Sequence, residues 1–138
     1  WATEHGRSGV RSGLDELNMI IPGKNYGWPT IEGDERMDGM LAPSVHSGPN
    51  DTWAPSGAAY FEGTILFGGL RGQSLYQASI NQTPIQVKAH FSSEYGRIRA
   101  VAVGPDRMIY FTTSNTDGRG TPKEGDDKLI RVNPRLFR

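Results

Sequence analysis

The sequence contains no cysteine. Disulfides, thiolate metal sites and cysteine nucleophiles are therefore excluded together. It also lacks net charge, since Lys+Arg and Asp+Glu each number 15. A balanced chain lacks the basic footprint of a nucleic-acid binder or of a protein that works on a membrane surface. No run of about 18 apolar residues occurs, so no membrane-spanning helix is expected. No stretch of useful length carries a helical apolar period. No secretory leader pattern and no initiator methionine are read at Trp1, so the chain is expected to be a piece of a longer one. Hydrophobic residues make up only 36% of the 138. In their place stand 18 glycines and 9 prolines, which cut a chain into short segments joined by turns.

What remains is a series of short β patterns. Ser56–Gly63, Thr64–Leu70, Gln73–Ile80 and Ile85–Phe91 read as four strands of one antiparallel meander. In the last of these, Ile85, Val87, Ala89 and Phe91 alternate with Gln86, Lys88 and His90, which predicts an inner and an outer face. The pattern then restarts with Arg97–Val103, Met108–Ser114 and Lys128–Pro134. At the other end, "WATEHG", "ELNMII" and "NYGWPTI" read as three strands of an earlier unit. Four-stranded meanders repeating at about 40–50 residues predict a β-propeller; a β-sandwich shows similar short strands and turns. The expected organisation is an incomplete blade at 1–31, a connecting loop at 32–55, a complete blade at 56–96 and an incomplete blade at 97–138. About two and a half blades cannot close a ring. The chain is thus expected to need a missing half or a second copy of itself.

The blocks "EHGRSG", "DELNMIIPGKNYGWP", "WAPSGAAYF", "LFGGLRGQSLY", "RIRAVAVGPDRMIYFTTSNTDGRG" and "GDDKLIRVNP" occur in this order. They resemble the C-terminal half of the soluble quinoprotein glucose/sorbosone dehydrogenases, the aldose sugar dehydrogenases. The resemblance implies a six-bladed propeller, the cofactors pyrroloquinoline quinone (PQQ) and calcium, an aldose substrate oxidised to a lactone, and a periplasmic or secreted location. It also implies that the catalytic histidine lies in the N-terminal half, so this chain by itself is expected to be inactive. A binding propeller without catalysis, or a self-assembling half-ring, remain as alternatives.

Two site predictions follow from residues and resemblance together. Asp15 and Glu16 precede the rigid Asn25–Pro29 segment, and hard cations take carboxylate and carbonyl oxygens. The resemblance implies calcium at Glu16 and the Tyr26 carbonyl, with Asp15 beside them, and a second calcium contact near Gly6. Arg7 stands there where the family usually has proline. His5 reads as a turn histidine rather than a base.

Arg97 and Arg99 are two apart in a strand and share a face, with Val101, opposite Ile98, Ala100 and Ala102. Adjacent guanidiniums repel unless an anion lies between them, and PQQ is a tricarboxylate. The resemblance puts both arginines at the cofactor, with Arg71 as a further contact and Trp53 as an aromatic that could stack on it. An acidic residue often follows the second arginine in the family; here it is Ala100. The acids of Thr113–Asp127 read as turn formers. Pairing of both arginines with acids of the same chain would argue against a cofactor clamp.

Overall fold

The computed structural model describes residues 1–137, the side chain of Val10 excepted; Arg138, the last residue of the expected third blade, lies outside the described residues. Three antiparallel sheets account for the strands, and two 3-10 turns, Gly9–Arg11 and Pro134–Phe137, are the helical pieces among the described residues. None of these is long and apolar enough to cross a membrane. The chain divides into two compact units, Trp1–Ala54 and Pro55–Arg138.

The second unit is the more regular. β4 (Pro55–Phe61), β5 (Thr64–Gly69), β6 (Leu75–Ser79) and β7 (Gln86–His90) pair in sequence order, and β8 (Ile98–Val103), β9 (Ile109–Thr113) and β10 (Leu129–Val132) do the same. The β4–β5 hairpin turns at Glu62-Gly63, both with positive φ (44° and 81°). That backbone matches the twist of the flanking strands, and glycine adopts it without steric cost. In-order sheets of this kind are propeller blades, so the all-β, part-propeller fold expected from the sequence is the fold observed.

Between these two blades lies the core. Leu66 and Leu75 pack with Ile98, Val101, Ile109, Phe111, Val132 and Phe137, all buried. Rings of Phe91, Tyr95, Phe111 and Phe137 meet edge-on or tilted, at centroid distances of 5.4–6.2 Å. Such pairs add to the apolar burial that drives the sheets together. β4 and β8 run close to each other. A Cβ on Gly57 would come within 3.1 Å of the Ala100 Cα and the Arg99 carbonyl oxygen. The Ser56 hydroxyl donates to the Ile98 carbonyl at 2.8 Å.

A bulge changes the expected faces of β8. Ile98 pairs with Thr113, but the next partners are Val101 and Phe111, so β8 holds one residue more than β9 there. An inserted residue reverses the alternation. Val101 therefore joins Ile98 in the core, and Ala100 is exposed, contrary to the faces predicted from simple alternation. The Ala100 N–H released by the bulge donates to the Thr112 hydroxyl at 3.2 Å. β4 carries the same irregularity between Pro55 and Ala58. The β7 prediction also needs correction. As an outermost strand of its sheet it leaves Ala89 exposed and half-buries His90, which bonds Gln77 at 2.9 Å.

The first unit holds a three-stranded sheet of β1 (Ala2–Glu4), β2 (Glu16–Asn18) and β3 (Val45–His46). "NYGWPTI" is not its third strand. Gly27 takes φ 86° and its carbonyl accepts from both Thr30 and Ile31 N–H, which folds the segment into a turn. Pro29 has no N–H to give a ladder. The third strand comes from the stretch expected as a connecting loop, with Leu17 opposite Val45 and Glu16 opposite His46.

Candidate functional site

In the second unit Arg97 and Arg99 do lie on one side of the chain, and an acid of the same chain stands between them. Asp117 Oδ2 accepts from Arg97 Nη2 at 2.8 Å, Arg97 Nε at 3.1 Å and Arg99 Nη2 at 3.4 Å. The Ser114 hydroxyl donates to the same oxygen at 3.2 Å, and the Arg119 N–H donates to Oδ1 at 2.9 Å. Hydrogen bonds from Arg97, then from the Arg119 backbone, hold the Asp117 carboxyl down to about 2. Both arginines thus pair with an acid of the same chain, which counts against the two-arginine cofactor clamp expected from the sequence.

The two arginines differ in what they have left. Arg97 has only 10% of its side chain exposed; its Nε is shared with the Ser114 carbonyl at 3.2 Å, and its Nη1 donates to the Leu70 carbonyl at 3.3 Å. Arg99 has half its side chain exposed and makes only long contacts, 3.4 Å to Asp117 and 3.5 Å to Ser114 Oγ. Arg99 is thus the more open of the two guanidiniums. Arg71, next to the Leu70 carbonyl that receives Arg97, is exposed in the β5–β6 connection.

The loop after β9 is a braced platform. Asn115 N–H and Thr116 Oγ1 both donate to Asp127 at 2.6 Å. Asn115 Nδ2 reaches the Tyr95 carbonyl and Asp126, and Asn115 Oδ1 accepts from Arg97 N–H. The acids here are turn formers, as predicted; that Asp117 is also the counter-ion of the arginine pair was missed. Ala100 was the available signal. Where the strand itself lacks the acid next to Arg99, the counter-charge must come from another segment.

In the first unit the predicted metal residues make different contacts. Asp15 is 3% exposed. Its Oδ1 accepts from Gly6 N–H at 2.9 Å, and its Oδ2 from Trp53 and Ala54 N–H at 2.7 and 2.8 Å. Three backbone donors converge on the carboxylate, so Asp15 staples the loops. Gly6 is needed for this approach, because a Cβ there would collide with the carbonyls of Gly13 and Leu14. Tyr26 uses its hydroxyl to close the turn, donating to the Met19 carbonyl at 2.8 Å and accepting from Ile21 N–H at 2.7 Å. Trp53 is 5% exposed, so its indole presents no open face for stacking.

Glu16 is left. It lies directly opposite Glu4, and the Asn18 Nδ2 amide donates to both, at 3.1 and 3.3 Å. Burial first, and the Glu4 charge besides, push the Glu16 carboxyl up against the lowering pull of the amide. Asn18 Oδ1 is buried with no hydrogen-bond partner. Among the described residues no group of three or more His, Cys, Asp or Glu could hold a metal. Two carboxylates and one amide oxygen are what this sheet offers a cation.

Meander blades that pair in sequence order and pack through a shared apolar core define a propeller-type β protein. The sequence pattern of the Glucose / Sorbosone dehydrogenase family matches residues 1–131, and the chain belongs to that family. It is 27% identical to an aldose sugar dehydrogenase of Escherichia coli over 98% of this chain and 38% of that protein. The PQQ-bound aldose sugar dehydrogenase of Streptomyces coelicolor has a similar structure, with TM-score 0.81 and 40% identity over 94% of this chain and 38% of that one. An oxidoreductase of Thermus thermophilus, described as a glucose dehydrogenase, gives TM-score 0.81 and 39% identity over 94% and 40%. The chain thus spans about two fifths of the length of these relatives.

Proposed function

We propose that the chain supplies the cofactor-holding part of a PQQ-dependent dehydrogenase that oxidises aldose sugars to lactones. The observation that carries this reading is the half-exposed Arg99 guanidinium beside a buried Arg97 paired with Asp117. PQQ, when bound, supplies the electron acceptor. Arg99 binds one of its carboxylates through donors that Asp117 leaves open. Arg97 fixes the strand-to-loop geometry that presents Arg99, and Arg71 adds a second positive charge from the β5–β6 connection. Trp53 packs as a core residue. The similarity to the PQQ-bound Streptomyces coelicolor enzyme supports the reading.

No residue of the chain is assigned as the base that takes the sugar's proton. His5 directly follows β1, beside Gly6, whose N–H bonds Asp15. The base belongs to the remainder of the enzyme, and this chain by itself is inactive. Its partner is that remainder, or a second copy completing the ring, and its place of work is the periplasm or outside the cell. Calcium belongs to the same reading only through Glu16, with Glu4 and Asn18 beside it. The pairing of Arg97 with Asp117 also favours a second reading, a binding propeller that retains the frame and no catalysis.

Absorbance titration with PQQ tests the proposal. Arg99→Gln should weaken binding by about tenfold or more, as expected when one charge-assisted contact is lost. Absence of binding by the native chain, or equal affinity in the variant, would remove the cofactor role. Dye-coupled assay with glucose should give no turnover with PQQ alone, and turnover when the N-terminal half of a related enzyme is added.

A further inference from the structure

We infer that Asp117 is a built-in competitor for the anion site, so that the arginine pair takes an incoming anion on Arg99 alone. The inference rests on the reading of Arg99 as an anion contact and adds what limits that contact. Three observations carry it.

The first is position. Asp117 Oδ2 bonds both guanidiniums, at 2.8 Å and 3.4 Å, in the place where a bridging carboxylate of a ligand would sit. Two cations this close attract an anion that can bridge them, and here the chain provides it. The second is the unequal sharing. Arg97 gives Asp117 two donors, shares one of them with the Ser114 carbonyl, and gives a third to the Leu70 carbonyl. With 10% of its side chain exposed, Arg97 gives a ligand little access while Asp117 is in place. Arg99 gives one long contact, so an anion can be added there without displacing anything. The third is the origin of Asp117. It comes from a loop braced by Asn115, Thr116 and Asp127 through bonds that do not use the guanidiniums. Asp117 is thus held beside the arginines by more than its own contacts with them. The depressed carboxyl agrees with a resident that stays ionised through the working pH range.

The consequence is a ceiling on affinity and a filter on ligand type. The resident carboxylate offsets about one of two positive charges, and attraction for an external anion falls accordingly. A polycarboxylate gains little over a simple anion, because only one guanidinium accepts it.

The experiment is titration of the chain with inorganic phosphate and with citrate, read from arginine Nε–H signals by NMR. In the native protein phosphate should shift the Arg99 signal and leave Arg97 in place. Asp117→Asn removes the charge with little change of shape. It should bind both anions about tenfold more tightly, citrate gaining the more, and the Arg97 signal should now move. Asp117→Ser is the second variant should the asparagine form not fold. Unchanged or weaker binding by a folded variant overturns the inference, and so does loss of the fold in both, which would make Asp117 a strut. Arg99→Gln separates the two levels of the argument. If it abolishes phosphate binding, the Arg99 reading stands and a failure of Asp117→Asn counts against the competitor alone. If it leaves binding intact, the reading and the inference fall together.

Discussion

The two units solve the same problem with different materials. Pro55–Arg138 has two meander sheets with an apolar and aromatic core between them. Trp1–Ala54 has strands of two or three residues, long turns, and a buried carboxylate that collects backbone N–H groups. Where strands are long enough to alternate, side-chain burial sets the structure. Where they are not, the backbone donors that no ladder satisfies must be met individually. The same contrast runs through the acids. Asp117 sits between two cations and its carboxyl is held down to about 2; Glu16 sits buried opposite another carboxylate and is pushed up.

The largest effect should come from the apolar side of the contrast. Phe111→Ala removes a ring that is 1% exposed and packed on Phe91 and Tyr95. It should cost about 3–5 kcal/mol in denaturant unfolding. A cost below 1 kcal/mol would mean that the second unit is not core-driven.

Next comes the polar side. Asp15→Ala leaves three N–H groups without their acceptor and should cost about 2–3 kcal/mol. Hydrogen exchange should locate the damage, with protection lost at Gly6, Trp53 and Ala54 and retained at the β5–β6 ladder. Uniform loss across both units would erase the distinction drawn between them.

Acid should separate the two carboxyls with opposite signs. A depressed carboxyl stabilises the fold above its unfolded value of 3.8 and loses that contribution as pH falls to about 2. Unfolding of the Ser114–Asp127 loop should therefore begin in that window. Charged Glu16 opposes folding above its raised value, and the opposition fades as it takes up a proton. Melting curves should show Asp117→Asn flattening the acid limb of the native profile. An acid limb identical to the native one would count against the Asp117 part of the contrast.

The smallest effect concerns the cation. Millimolar calcium should raise the melting temperature by a few degrees at most, through Glu16. Glu16→Gln should abolish the shift. An equal shift in the variant would take calcium away from this sheet.

Legibility followed the same division. All seven strands of the second unit were readable, because alternation and turn chemistry are local signals: Glu62-Gly63 announces a hairpin. The bulge at Ile98–Val101 was not, since it depends on register against β9, and so Val101 was placed on the wrong face. In the first unit the third strand is Val45–His46, too short to carry a period, while the apolar and aromatic "NYGWPTI" imitates a strand it does not form. Of the site, the arginine pair was visible from spacing. Asp117 was not, because the contact joins residues twenty apart across a loop whose path the sequence does not state. Asp15 looked like a ligand because a carboxylate in a glycine-rich turn suits a metal and a backbone staple equally well.

The Asp15 staple also bears on the order of events when the chain folds. Its bonds to Trp53 and Ala54 join positions 38 and 39 apart in sequence. The β4–β7 hairpins close over far shorter loops. Loop closure slows as the joined positions move apart, so the second unit should nucleate first. The first unit then closes late, when the Trp53-Ala54 end of its chain is already tethered to a formed β4. A late-forming contact acts on the unfolding rate and hardly on the folding rate. Asp15 therefore governs how long the native first unit persists, rather than how quickly it is reached.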